Sequence, residues 1–157
     1  AEPLTSRFGY RDGITAGAAV LTVTPEGRPL LAGVVDRVGE HTADVITLYS
    51  PNLRLSVLFP ATGATGITNA GERHPAPGRI PVGYLPAQYR YTLHEAALTT
   101  GFETNIPGGI KVGELSYVDE APNRFSNALY LSGLLRPSAE FDSIRFVIVA
   151  KRSKETP

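Results

Sequence analysis

The side chains best suited to chemistry in this 157-residue chain are three histidines, His41, His74 and His94. Neutral imidazole is the commonest metal ligand and general base. Three histidines brought together from separate strands could hold a metal. No two of them share the His-x-His or His-x3-His spacing of a local site, so they read as one turn, one loop and one strand residue. Asp36, Glu40 and Asp44 flank a hairpin tip beside His41, but paired carboxylates do acid–base work only where they converge in a pocket. Asp119 and Glu120 are neighbours and would face opposite sides of a strand. The chain has no Gly-x-Ser-x-Gly elbow and no Ser-x-x-Lys. Gly63-Ala64-Thr65-Gly66 lacks the Gly-Lys-Ser/Thr end of a phosphate loop, and Gly108-Gly109-Ile110-Lys111 reads as a turn entering a strand. With no cysteine there is neither a disulfide nor a thiolate site. No catalytic residue, metal or cofactor is expected, and the chain reads as a non-enzyme.

A different chemistry is better represented. Twelve of the fifteen basic residues are Arg, whose planar donor fork suits partly buried interfaces. The strip Glu72-Arg73-His74-Pro75-Ala76-Pro77-Gly78-Arg79 places two Arg and a His on a proline-stiffened segment that docks at reduced entropic cost. Tyr84, Tyr89 and Tyr91 follow, and Tyr buries area while its hydroxyl stays wet. Arg73, His74, Arg79, Tyr84, Tyr89 and Tyr91 are therefore the candidate interface.

Composition removes several function classes. Lys+Arg and Asp+Glu both number 15, so the chain lacks the basic excess that nucleic-acid binding needs. No stretch approaches the roughly 18 apolar residues of a membrane span. Ala1-Glu2-Pro3 fits either a mature end after signal cleavage or a start after removal of methionine. An extracellular, periplasmic or virion setting is favoured over the cytoplasm.

Short segments rich in β-branched residues, separated by Gly and Pro, position these groups. They fall at residues 18–24, 30–38, 42–50, 53–59, 88–95, 110–118, 127–135 and 141–150. Residues 93–102 offer a short helix as an alternative. Residues 60–87 carry five prolines and five glycines and read as an irregular arm, longer than ordinary connections of about 4–6 residues. Residues 151–157 read as a short basic tail. The pattern predicts one domain over 1–157: an all-β, antiparallel β-sandwich of jelly-roll or Greek-key type, with 60–87 as a long Pro/Gly-rich crossover loop.

The functional expectation is a structural subunit that assembles with copies of itself, a virion coat or decoration protein or a surface-layer subunit, with 60–87 as the arm. The alternative is a secreted or periplasmic lectin-like sandwich whose 61–71 loop and tyrosines hold a glycan.

Overall fold

The structure, a computed structural model, describes residues 4–6, 9, 11, 13–70, 77–120, 129–140 and 148–149. Within them run eleven strands: β1 (Leu4–Ser6), β2 (Ala19–Val23), β3 (Pro29–Val38), β4 (Ala43–Thr47), β5 (Ser56–Phe59), β6 (Ala64–Thr68), β7 (Ile80–Pro86), β8 (Ala96–Thr99), β9 (Lys111–Asp119), β10 (Tyr130–Pro137) and β11 (Ile148–Val149). Except for one parallel contact between β3 and β9, every pairing is antiparallel.

Local chemistry explains the hairpins. Pro25-Glu26-Gly27 turns β2 into β3: the Gly27 amide donates to Thr24 O at 2.9 Å, and Gly27 holds a φ of 83° that a side chain would resist. Alternation then sorts the faces. In β6, Ala64, Gly66 and Thr68 point inward while Thr65 and Ile67 point out.

Following the pairings from β9 through β10, β7, β6, β5 and β8 returns to β9, where Ala97 pairs with Gly113. Six strands therefore close into a barrel. Its interior is filled by Phe59, Val82, Leu85, Val112, Leu115 and Leu135, all essentially inaccessible to water. Burying each such side chain is worth about 1.5–3 kcal/mol, so this cluster dominates the stability of the barrel. The remaining strands, in the order β1-β4-β3-β2-β11, form a second sheet that joins the barrel where Leu30 pairs with Lys111. A separate cluster of Ile14, Ala18, Val20, Val35, Ala43 and Val45 fills that sheet.

The all-β, antiparallel expectation holds; the jelly-roll or Greek-key sandwich does not. Sandwich and barrel impose the same period-2 alternation on each strand. The barrel depends on β5 pairing with β8 and β7 with β10, strands whose paired residues lie forty or more positions apart in the chain, and alternation does not encode such distant partners.

The irregular arm at 60–87 is also corrected, because β6 and β7 lie inside it and form part of the barrel wall. β6 is Gly- and Thr-rich for a packing reason. A Cβ on Gly66 would lie 2.7 Å from Leu85 Cδ2 and 3.0 Å from Val82 Cγ2, so the interior has no room for one. Prolines at 81 and 86 mark the ends of β7 and disguise it as loop.

Residues 93–102 hold strand β8, not a helix, and residues 88–95 hold turns, not a strand. The alternation of Tyr89, Tyr91 and Leu93 belongs to a loop crossing the end of the barrel. The predicted tail at 151–157, and most of the strand predicted at 141–150, lie outside the described residues.

Candidate functional site

Strand β7 contains one residue more than its partner requires. Leu131 pairs with Leu85 and Gly133 with Val82, so two steps on β10 span three on β7. The surplus falls at Gly83 and Tyr84, and Tyr84 takes a φ of 55°. A bulky residue in the left-handed region is an outlier, and bulges commonly re-aim a side chain. Here the bulge turns Tyr84 outward, where it is 51% exposed and meets the Tyr130 ring edge to face at 5.6 Å. Tyr130 is 52% exposed. Tyr117 on β9 and Ile67 on β6 are exposed on the flanking strands, and Leu129 is 74% exposed at the entry to β10. Four adjacent strands of the barrel thus present one apolar, aromatic outer face.

The other feature lies at the barrel mouth, where β7 ends and the chain crosses through residues 87–95. Tyr91 packs edge-on to Phe59, with centroids 6.2 Å apart, and its hydroxyl donates to Pro86 O at 2.8 Å. Burial pushes the Tyr91 phenol well above its ordinary range, and the nearby Glu95 carboxylate and Tyr89 add to the shift. Glu95 is buried and anchors the crossing: its carboxylate accepts the Thr92 amide at 2.6 Å and the Thr62 hydroxyl at 2.7 Å. Beside them lies a cleft of about 470 Å³, lined by the more buried Tyr91 and Leu131 and by the exposed Gln88, Tyr89, Arg90 and Glu120.

The predicted interface residues therefore separate. Tyr89 and Tyr91 share the cleft, and Tyr84 sits on the neighbouring outer face. Arg79 lies at the opposite end of β7, its guanidinium donating to Gly78 O at 3.1 Å. Arg73 and His74 lie outside the described residues. Tyr130 was hidden in a segment that reads only as strand, although its parity opposite the inward Leu131 and Leu135 marks it as outward. Arg90 and Glu120 carry no such signal.

The remaining candidates for chemistry do not converge. Among the described residues no group of three His, Cys, Asp or Glu could hold a metal ion. His41 is exposed at the hairpin tip, with Nε2 3.5 Å from Glu40 Oε1, and Glu40 also pairs with Arg11 at 2.6 Å. His94 is exposed on a turn with φ of 72°. Among the described residues no helix is long and apolar enough to cross a membrane.

A family model for the barrel core of the rod shape-determining protein MreC matches residues 4–151. The chain belongs to the MreC family.

No curated protein matches the chain. Among solved structures, MreC of Listeria monocytogenes superposes with a TM-score of 0.79 at 24% identity, covering 99% of this chain and 70% of that one. The major periplasmic domain of the cell shape-determining filament MreC gives 0.67 at 19% identity, covering 87% and 78%. MreC in a complex with penicillin-binding protein PBP2 from Helicobacter pylori gives 0.52 at 15% identity, covering 67% and 60%. At these identities the superpositions establish the shared fold.

Family membership overturns the virion coat, decoration and surface-layer readings, and the lectin-like alternative with them. MreC proteins are non-enzymatic, shape-determining structural proteins, so the expectation of a structural protein without catalysis stands. The error lay in the setting: a β-rich chain without catalytic groups is common to many kinds of assembly, and nothing in its composition selects among them.

Proposed function

We propose that the chain is a periplasmic scaffold of rod-shape determination that docks a penicillin-binding protein of the PBP2 kind and assembles with copies of itself. The observation that carries this reading is the family match over residues 4–151. The relative solved in complex with PBP2 supports the first partner, and the relative described as a filament supports self-assembly.

The Tyr84–Tyr130 face is the surface we assign to the penicillin-binding protein. Permanent interfaces resemble a domain core cut in half, whereas partners that also exist apart favour Tyr, whose hydroxyl stays hydrated in the free protein. This face follows the second pattern, with three tyrosines and few aliphatic side chains.

Titrating the chain with the PBP2-type protein of the same cell is expected to give a saturable complex. Combining Tyr84→Ala with Tyr130→Ala is expected to weaken it by about tenfold or more, as for central aromatic anchors. A complex indifferent to both changes would place docking elsewhere, and no complex at any concentration would overturn the reading.

A further inference from the structure

We propose that the cleft at the barrel mouth is a binding site for a short extended peptide carrying both an anionic and a cationic group. The site borders the outer aromatic face, with Leu131 following Tyr130 on β10, but does not depend on the scaffold being assembled.

Geometry is the first argument. β10 lies between β7 and β9, so Arg90, on the loop after β7, and Glu120, just beyond the end of β9, rise from either side of the β10 entry. Leu131, from the start of β10, lies between them. Among the described residues neither charged side chain has an ion-pair partner. One cation and one anion around a single cleft favour a ligand that carries both charges. A polyanion such as nucleic acid would meet the Glu120 carboxylate, and a polycation would meet the Arg90 guanidinium.

Lining chemistry is the second. The Gln88 side chain offers an amide donor and an amide acceptor, the complement of a peptide unit, and Tyr89 adds a hydroxyl and an apolar ring. The mouth of a β-barrel is a common place for such sites, and about 470 Å³ falls within the ~300–1,000 Å³ range of clefts for small ligands.

Preorganisation is the third. Tyr91 is fixed from below by Phe59 and Pro86, and Glu95 ties the crossing segment to Thr62 and Thr92, so the floor of the cleft is set before a ligand enters and the ordering falls on the exposed side chains around it.

The test is an amide-shift titration of the isotope-labelled chain with three probes. The first is the tripeptide Ala-Tyr-Ala with free termini. The second is the same peptide acetylated and amidated. The third is acetylated and amidated Lys-Tyr-Glu, whose charges are on side chains only. Saturable shifts confined to residues 87–91, 120 and 131 are expected with the first or the third probe, and at least tenfold weaker shifts with the second. A response to the first alone identifies a free short peptide as the ligand; a response to the third alone identifies an internal segment of a protein. Arg90→Gln and Glu120→Gln, each at an exposed position, should each lower the affinity by about tenfold while leaving distant amides unmoved. No shift with any probe, or equal shifts with all three, overturns the proposal. The comparison of probes stands even where a variant is poorly behaved.

Discussion

Tyr84 and Tyr130 meet edge to face with their planes at 75°, and they do so only because Tyr84 sits at a φ of 55° in the middle of a strand. Left-handed backbone costs a side-chain-bearing residue roughly 1–2 kcal/mol. The edge-to-face contact returns about 0.5–1.5 kcal/mol. The two nearly cancel, so the bulge neither strengthens nor weakens the barrel much. Its product is position: an aromatic ring held outward where a regular strand would place a different residue.

The fold should therefore depend on the Tyr84 backbone as much as on its ring. Tyr84→Gly relieves the strain and loses the ring contact, so its unfolding free energy should stay within about 1 kcal/mol of the parent. Tyr84→Val keeps the strain, adds a β-branch and loses the contact, and should lose about 2 kcal/mol. Urea unfolding of both variants decides the matter. Equal losses would mean that the left-handed conformation is not what Tyr84 contributes.

Gly66 carries the opposite kind of constraint, one of volume. Its backbone needs no positive φ, but the Leu85 and Val82 methyl groups occupy the place of a Cβ at 2.7 and 3.0 Å. Gly66→Ala should destabilise the barrel by about 1–3 kcal/mol through overpacking. Pairing it with Leu85→Val, which vacates part of that space, should cost less than the two changes summed. Strict additivity in the double-mutant cycle would count against the contact.

These two residues also show how far the sequence could be read. The β2–β3 hairpin was legible because Pro25-Glu26-Gly27 states its own turn and the flanking alternation is clean. β6 was not, because a strand that makes room for its neighbour by using Gly66 loses the apolar residues that identify strands. β7 was not, because Pro81 and Pro86 bracket it and Tyr84 breaks its alternation. Tyr84 nevertheless stands out as an interface candidate by its type alone, while Tyr130 needs the partner strand to give it meaning. Arg90 and Glu120 lie thirty positions apart in the chain, and only the placement of β10 between their strands brings them to one cleft.

Glu95 is the residue on which the barrel mouth depends. Removing its carboxylate leaves the Thr92 amide and the Thr62 hydroxyl without that acceptor. Glu95→Ala should cost about 1–3 kcal/mol and speed hydrogen exchange across residues 87–95 before the barrel strands respond. Glu95→Gln retains an acceptor oxygen and should fall between the parent and the Ala variant. Uniform acceleration of exchange throughout the barrel would show that Glu95 supports the whole fold and not this crossing.

Tyr91 gives the mouth a pH dependence whose sign follows from its surroundings. Burial, with Glu95 and Tyr89 in support, makes the folded protein hold the phenolic proton more tightly than the unfolded chain does. Below about pH 10, where an unfolded tyrosine remains protonated, this contributes nothing that varies with pH. Above it the unfolded state loses its proton first, so stability falls as pH climbs toward the folded-state value. Tyr91→Phe should lower stability at neutral pH by about 0.5–1.5 kcal/mol, through the lost hydrogen bond to Pro86 O, and should flatten the alkaline decline. Urea midpoints for both proteins between pH 8 and 11 supply the comparison. The other tyrosines and lysines titrate in both proteins and cancel in the difference, so two parallel curves would remove Tyr91 as the source of the alkaline slope.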